Sequence, residues 1–218
     1  MKKENRRSQG VAVCSIVAFV LWTLLVRFAD VQPIGPEGSS VGLASVNEAV
    51  HQLTGVNMIL YSITDWLGWI PAGIAAGFGL LGLTQWIRRK SLRRVDSSIL
   101  ILGGFYIAVI AVFVFFEIFV VNYRPVLIDG KLEASYPSSH TMLALCVMIT
   151  AKMQFASRMR NKKSRQILSA AAMGYAVFMV AARFLSGVHW FTDIIGGILL
   201  STGLILIYKS VCNVVSWG

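Results

Sequence analysis

Ser98-Ile-Leu-Ile-Leu-Gly-Gly-Phe-Tyr-Ile-Ala-Val-Ile-Ala-Val-Phe-Val-Phe-Phe-Glu-Ile-Phe-Val-Val121 decides the fold. Its one charge, Glu117, lies near the end. A helix rises about 1.5 Å per residue, so about 20 apolar residues cross the hydrocarbon core of a bilayer. This stretch is long enough and apolar enough to do so. Working outward, comparable runs cover Val11–Phe28, Trp66–Ile87, Thr141–Phe155, Ile167–Ala182 and Phe191–Tyr208. The fourth of the six runs is short, and reaches spanning length if it begins at Ser138 and ends at Ala156. The expected fold is all-α, an integral membrane bundle of six transmembrane helices, forming one domain over residues 1–218.

Composition agrees. Of 218 residues, 56% are hydrophobic and 14% charged, against about 45–50% and about 25% in soluble domains. The net charge of +10 is placed at helix ends, in Lys2–Arg7, Arg88–Arg94 and Lys152–Arg165. That placement orients a membrane protein and argues against nucleic acid as a partner. With six spans both termini share a side, taken as cytoplasmic. Sixteen of the 20 Lys and Arg residues then lie inside. Arg27, Arg124, Lys131 and Arg183 lie outside, and Arg124 and Arg183 ask for another explanation. The basic head and first apolar run resemble a signal peptide, with Cys14 placed as in a lipoprotein. The run is long and no clear cleavage site follows, so it reads as a retained span. Cys14, Cys146 and Cys212 show no paired spacing and read as small buried hydrophobes. Gly73 and Gly77 read as a close helix-packing pair.

Asp30–Gly55 is the longest outside segment. Pro33, Gly35, Pro36 and Gly38 mark turns. Leu43, Val46, Val50 and Leu53 then recur at helical spacing, with Asn47, Glu48, His51 and Gln52 off that face. This fits a short helix on the membrane surface, with a plain connecting loop as the other reading. Thr64–Asp65 reads as the N-cap of the second span, with Pro71 in its early part.

Three short stretches meet at the outer level. Asn122-Tyr-Arg-Pro125 follows the third span. Tyr136-Pro-Ser-Ser-His140 opens the fourth. Arg183-Phe-Leu-Ser-Gly-Val-His-Trp-Phe-Thr-Asp193 joins the fifth to the sixth. His189 and Asp193, four apart, share a helix face. A carboxylate beside an imidazole fixes its tautomer and sharpens the other nitrogen as a nucleophile. The pair read alone is equally a structural closure of a helix start. Ser138 and Ser139 open a helix whose free N–H groups suit an anion, and each read singly is an ordinary cap. His140 sits in that first turn. Arg124 and Arg183 offer planar forks of donors that fit phosphate oxygens. Arg124 alone also reads as an arginine reaching to the interface. Together these groups suit phosphoryl transfer through a covalent intermediate, with no metal-ligand pattern and no cofactor required.

These stretches resemble the type 2 phosphatidic acid phosphatase superfamily. Its signature is Lys, six residues, Arg-Pro; then Pro-Ser-Gly-His; then Ser-Arg, five residues, His, three residues, Asp. Arg124-Pro125, Pro137-Ser138-Ser139-His140 and Arg183…His189…Asp193 match in order and spacing, from the second span onward. The resemblance implies that His189 attacks phosphorus, Asp193 orients it, and His140 protonates the leaving group and then activates water. Arg124, Arg183, Ser138 and Ser139 would hold the phosphoryl oxygens. The substrate implied is a lipid phosphate or diphosphate entering from the membrane at the outer face of the cell membrane. The chain departs from the signature at three places. Ser139 replaces Gly, Ala182 replaces Ser, and Glu117 reverses the charge of the lysine. Glu117 is expected either to pair with Arg124 or Arg183 or to meet a cationic headgroup, with Lys131 a candidate replacement cation. Two other functions stay open: a lipid phosphotransferase using the same intermediate, and a membrane protein that binds phospholipid without turnover. The sequence is silent on oligomeric state.

Overall fold

The computed structural model describes residues 2–215, with side chains from Ser8 onward. The Lys2–Arg7 side chains therefore fall outside the description, as do residues 216–218. Eight α-helices are present among the described residues: α1 (Lys2–Phe28), α2 (Ala44–Thr54), α3 (Met58–Leu67), α4 (Trp69–Arg89), α5 (Ser97–Ile118), α6 (Ser139–Arg158), α7 (Lys162–Leu185) and α8 (Phe191–Val215). No strand forms among them, only isolated antiparallel bridges such as Tyr123–Ala134 and Ile128–Lys131.

Five stretches are long and apolar enough to cross a membrane: Ser8–Phe28, Met58–Arg89, Ser97–Ile118, Lys162–Leu185 and Phe191–Val215. The protein is a multi-pass membrane protein. Its outer surface carries large apolar side chains such as Leu21, Ile107, Val177 and Trp69 (71% exposed), as a surface solvated by lipid does. The fourth expected run, α6, is not among the five stretches. His140, Lys152 and Gln154 make it too polar. The physical reason is its position. It packs against α4, α5, α7 and α8, and Met142, Ala144, Cys146, Val147, Met148, Thr150, Ala151 and Gln154 are buried. A helix lined by protein has no need of a lipid-compatible surface, because its polar groups find partners inside. Gln154 Nε2 donates to Tyr208 Oη at 2.8 Å.

The main core cluster joins Phe19 and Val26 of α1, Leu102, Phe105 and Val109 of α5, Met142 and Cys146 of α6, and Leu200 and Tyr208 of α8. Small residues let the axes approach. A Cβ on Gly203 would stand 2.5 Å from Ile16, and one on Gly197 3.1 Å from Thr141. The expected packing pair, Gly73 and Gly77, meets nothing within 4 Å. Those two glycines face outward, and the close contacts lie on α8 and at Gly82 of α4, where a Cβ would stand 2.9 Å from Ile99. Cys146 is buried as expected. Cys14 is exposed on the apolar surface, since the α1 face that packs on α8 passes through Ala12, Ile16 and Phe19.

The second span also begins differently. Asn57 caps α3, its Oδ1 accepting from Leu60 N at 2.9 Å. Thr64 and Asp65 lie inside α3, and Gly68 forms the joint into α4. The helix starts earlier than expected because Asn57 satisfies its first free N–H groups. The helix expected after Leu43 exists as α2, yet it turns Asn47 and His51 inward while Glu48 and Gln52 stay exposed. Asn47 is fully buried, while Val46 and Leu53 (46% and 87%) are exposed.

At the end of the bundle away from α6's first turn, Asp96 ties three helices together. Its Oδ2 accepts from Arg158 Nη1 and from Gln85 Nε2, both at 2.9 Å, and its Oδ1 accepts from Arg89 Nη1 at 3.0 Å. These bonds, Arg158 first, hold its carboxyl down at about 2. The stability they confer is therefore present above the ordinary value of 3.8 and is lost as pH falls through about 2. Asp96→Asn is expected to cost about 1 kcal/mol at neutral pH, a figure reduced for partial solvent screening. The gap in melting temperature between variant and wild type should close as the pH approaches 2. A gap that is constant with pH would remove the ion pairs from the explanation.

Candidate active site

The first turn of α6, the last turn of α7 and the start of α8 converge at one end of the bundle. The 122–135 segment folds over them as a short hairpin. Its arms are joined where Arg124 N donates to Glu133 O at 3.0 Å and Ser135 N to Asn122 O at 3.0 Å.

His189 sits in the bend between α7 and α8, 3% exposed. Arg124 Nη1 stands 3.1 Å from His189 Nε2. A guanidinium can only donate, so Nε2 is the acceptor. Burial first, and the charges of Arg124 and Arg183 after it, hold this imidazole well below its ordinary value of 6.5. The ring is therefore neutral, with its one proton on Nδ1. Behind that nitrogen, 3.6 Å away, lies Asp193 Oδ2. At this spacing the carboxyl oxygen faces the Nδ1 proton from just beyond hydrogen-bond distance. The same Oδ2 accepts from Trp190 N at 2.9 Å. Asp193 thus reaches back from the first turn of α8 and caps it. The structural and chemical readings of the His–Asp pair hold together, since the cap fixes the carboxylate that faces the ring.

Across the site, Arg183 is fully buried. Its Nη1 donates to Thr64 Oγ1 at 3.1 Å, and its Nη2 to His140 Nδ1 at 2.9 Å. Its Cζ lies 5.1 Å from the centre of the Tyr61 ring, a cation–π contact. Arg124 is anchored by Glu133, whose Oε2 accepts from Nε at 3.0 Å. Ser138 caps α6 through its backbone: its carbonyl accepts from Met142 N, and its own N donates to Asp193 O at 3.1 Å. Its side chain plays no part in the cap. Ser138 Oγ and Thr141 Oγ1 are both buried without a hydrogen-bond partner among the described residues. Ser139 is the first residue of α6.

The structure thus brings His189, Asp193, Arg124, Arg183, His140 and Ser138 into one cluster. Glu117 lies near the end of α5, exposed, lining a small cleft with Ser135, Ser139 and His189. The carboxylate bonded to Arg124 is Glu133, and Arg183 is held by Thr64 and His140. Lys131 is at the exposed hairpin tip, where its backbone pairs with Ile128. Its side chain makes no ion pair among the described residues.

Sequence reasoning missed the α3 face. Tyr61, Thr64, Asp65 and Gly68 follow i, i+3, i+4, i+7 spacing, and Tyr61, Thr64 and Asp65 all touch Arg183 or His140. That periodicity was the available signal. It also missed the support under the His189 bend. Asn47 Nδ2 donates to Gly42 O at 2.9 Å and to Thr192 Oγ1 at 3.0 Å, while its Oδ1 accepts from Thr192 N at 3.2 Å. His51 Nε2 lies 3.1 Å from Gly187 O.

Family comparison fits this geometry. The family model described as "PAP2 superfamily" matches residues 107–215, which include Arg124, His140, Arg183, His189 and Asp193. The chain belongs to the PAP2 superfamily. The PAP2 match leaves out α1 to α4, so the Tyr61–Gly68 face lies outside the matched segment. A solved structure gives the fold a counterpart. It is described as "Crystal structure of the first transmembrane PAP2 type phosphatidylglycerolphosphate phosphatase from Bacillus subtilis". It superposes with a TM-score of 0.54 over 93% of this chain and 96% of that one, at 19% identity. No curated protein matches.

Gly187 sets the bend of this PAP2 site. Its φ is +66°, and an added Cβ would stand 1.8 Å from Gly55 O. Gly187→Ala is expected to destabilise the fold by at least about 2 kcal/mol, from left-handed strain plus the clash. The displaced bend would carry His189 away from Arg124. Thermal unfolding in detergent measures the first effect and phosphate release the second. Unchanged unfolding would show that the bend is not constrained in this way.

Proposed function

We propose that this protein is an integral membrane phosphatase that hydrolyses a lipid phosphate or diphosphate through a phosphohistidine intermediate. One observation carries the reading: a neutral His189 holds its Nε2 lone pair toward Arg124 with Asp193 behind Nδ1. A site that only binds phosphate has no use for a nucleophile oriented in this way.

In the first step the Nε2 lone pair attacks phosphorus and the bond to the leaving oxygen breaks. His140 gives that oxygen its proton. In the second step a water oxygen attacks phosphorus, His140 takes the water's proton, and the P–N bond breaks to release inorganic phosphate. Arg124 and Arg183 stabilise charge on the transferring phosphoryl group, and the α6 N-terminus adds its N–H groups. No step draws on a metal ion. The substrates considered are isoprenoid diphosphates, phosphatidate and related lipids, including phosphatidylglycerophosphate.

The topology proposed is six spans with α6 as the fourth, both termini cytoplasmic, and the site at the outer face of the cell membrane. The 16 of 20 Lys and Arg residues that it places inside support it. Purified protein, given a panel of these lipids with a chelator present, is expected to release phosphate. No release from any lipid would sink the hydrolase reading. Transfer to an added alcohol without release would favour the phosphotransferase.

A further inference from the structure

Resting on this phosphoryl chemistry, we propose that Asp65 is a positioning residue for His140. Asp65 holds the His140 proton on Nε2, so that Nδ1 is the atom exchanging protons with the substrate. Asp65 belongs to none of the three motif stretches. It reaches the site from α3, which lies outside the matched family segment.

Arg183 Nη2 stands 2.9 Å from His140 Nδ1. Because a guanidinium only donates, that nitrogen carries the lone pair. The neutral ring's proton is then on Nε2, which lies 3.4 Å from Asp65 Oδ1. The ring edge has little freedom. A Cβ on Gly68 would approach His140 Cδ2 and Nε2 to 2.7 Å, so the joint between α3 and α4 packs directly on it. Glycine here allows the contact and lets Asp65, one turn earlier, face the ring.

The charges around His140 define the task. Arg183 from α7 and Arg124 from the hairpin oppose an imidazolium, and His189 lies across the site. Asp65 is the carboxylate paired with the ring. When a phosphoryl oxygen takes the Arg183 N–H, Nδ1 is released facing that oxygen. A substrate entering as its monoanion gives its P–OH proton to Nδ1, leaving a phosphoryl dianion, and the imidazolium so formed has Asp65 as its counter-charge. In the transfer step the proton passes from Nδ1 to the leaving oxygen as the P–O bond breaks. In hydrolysis Nδ1 takes the proton from water as the new O–P bond forms and the bond from phosphorus to His189 Nε2 breaks; Asp65 orients the ring and exchanges no proton. The site therefore holds two imidazole–carboxylate pairs of opposite tautomer: His189 protonated on Nδ1, and His140 on Nε2.

The side chain of Asp65 is 48% exposed, so its replacement should leave the fold intact. Nitrogen NMR of the three histidines, assigned with His51→Phe and His140→Phe, reads the tautomers with no turnover required. Wild type is expected to show His140 protonated on Nε2, and Asp65→Ala a mixture. Asp65→Asn should keep the tautomer, since its amide oxygen still accepts. In kinetics, Asp65→Ala is expected to slow phosphoenzyme formation from an alkyl phosphate about 10- to 100-fold, a fraction of a full general-acid effect. With p-nitrophenyl phosphate, whose leaving group needs no proton, the fall should stay under about threefold. Asp65→Glu should restore part of the loss. Either His140 protonated on Nδ1 in wild type, or an unchanged tautomer and equal slowing of both substrates in Asp65→Ala, would overturn the proposal. A protein that turns over no lipid would end the hydrolase reading alone, and the NMR result would still judge Asp65.

Discussion

His189→Ala is expected to abolish phosphate release, by about 10⁴-fold or more. No other side chain in the cluster can replace the Nε2 lone pair. Arg124 and Arg183 only donate, and in the proposed mechanism His140 Nδ1 is committed to proton exchange with the leaving oxygen. The variant should fold. Arg124 keeps its bond to Glu133 Oε2 at 3.0 Å and its contact with Val188 O, so no guanidinium is stranded. A second signature separates loss of chemistry from loss of fold. Wild type holds the His189 imidazole below its ordinary value of 6.5. The unfolded chain therefore binds a proton there that the folded chain does not, and stability falls as pH drops below about 6.5. His189→Ala removes that contribution, so its stability should depend less on pH over the same range. Rapid quench with a ³²P-labelled lipid should show an acid-labile phosphoenzyme in wild type and none in the variant. Equal labelling of both would place the nucleophile elsewhere.

The second large effect is expected at Asp193. Asp193→Asn keeps the volume and leaves an oxygen to accept from Trp190 N, so the α8 cap survives. The other face of the amide decides the chemistry. If it offers N–H to His189 Nδ1, that nitrogen must accept, and the ring proton moves to Nε2. The nucleophilic lone pair is then on the wrong atom. A loss of about 10³- to 10⁴-fold in kcat follows, the scale of a wrong-tautomer substitution in a hydrolase triad. KM should change little, because Arg124, Arg183 and Ser138 keep their places. Loss through KM at constant kcat would mean that Asp193 acts in binding rather than in orienting the ring.

Much of this was legible in the sequence because membrane spans and motif spacing are local signals. A spacing of six ties Arg183 in the last turn of α7 to His189 in the bend, and a spacing of four sets Asp193 beside His189. The interior of the bundle was less legible. The GxxxG pair at Gly73 and Gly77 follows a rule about helix pairs, yet which face of α4 meets a neighbour is decided by packing far away in sequence. α2 shows the same limit. Its apolar stripe was visible, but Asn47 turns inward because Gly42 and Thr192 offer it three bonds, and Thr192 lies 145 residues away. Thr64 and Asp65 misled for a related reason. Cap-forming residues before an apolar run look alike whether they begin a helix or continue one, and Asn57 had already begun it.

The central place of α6 bears on how the protein is made. A segment carrying His140, Lys152 and Gln154 partitions poorly into lipid as it leaves the ribosome, whereas α5 before it partitions readily. On the six-span topology, α6 gains its surroundings only when α7 and α8 have been synthesised, since Gln154 finds Tyr208 and Ser138 finds Asp193 on the last helix. Membrane integration of this stretch is then a cooperative event completed late in translation, and the turn that opens α6 is assembled last.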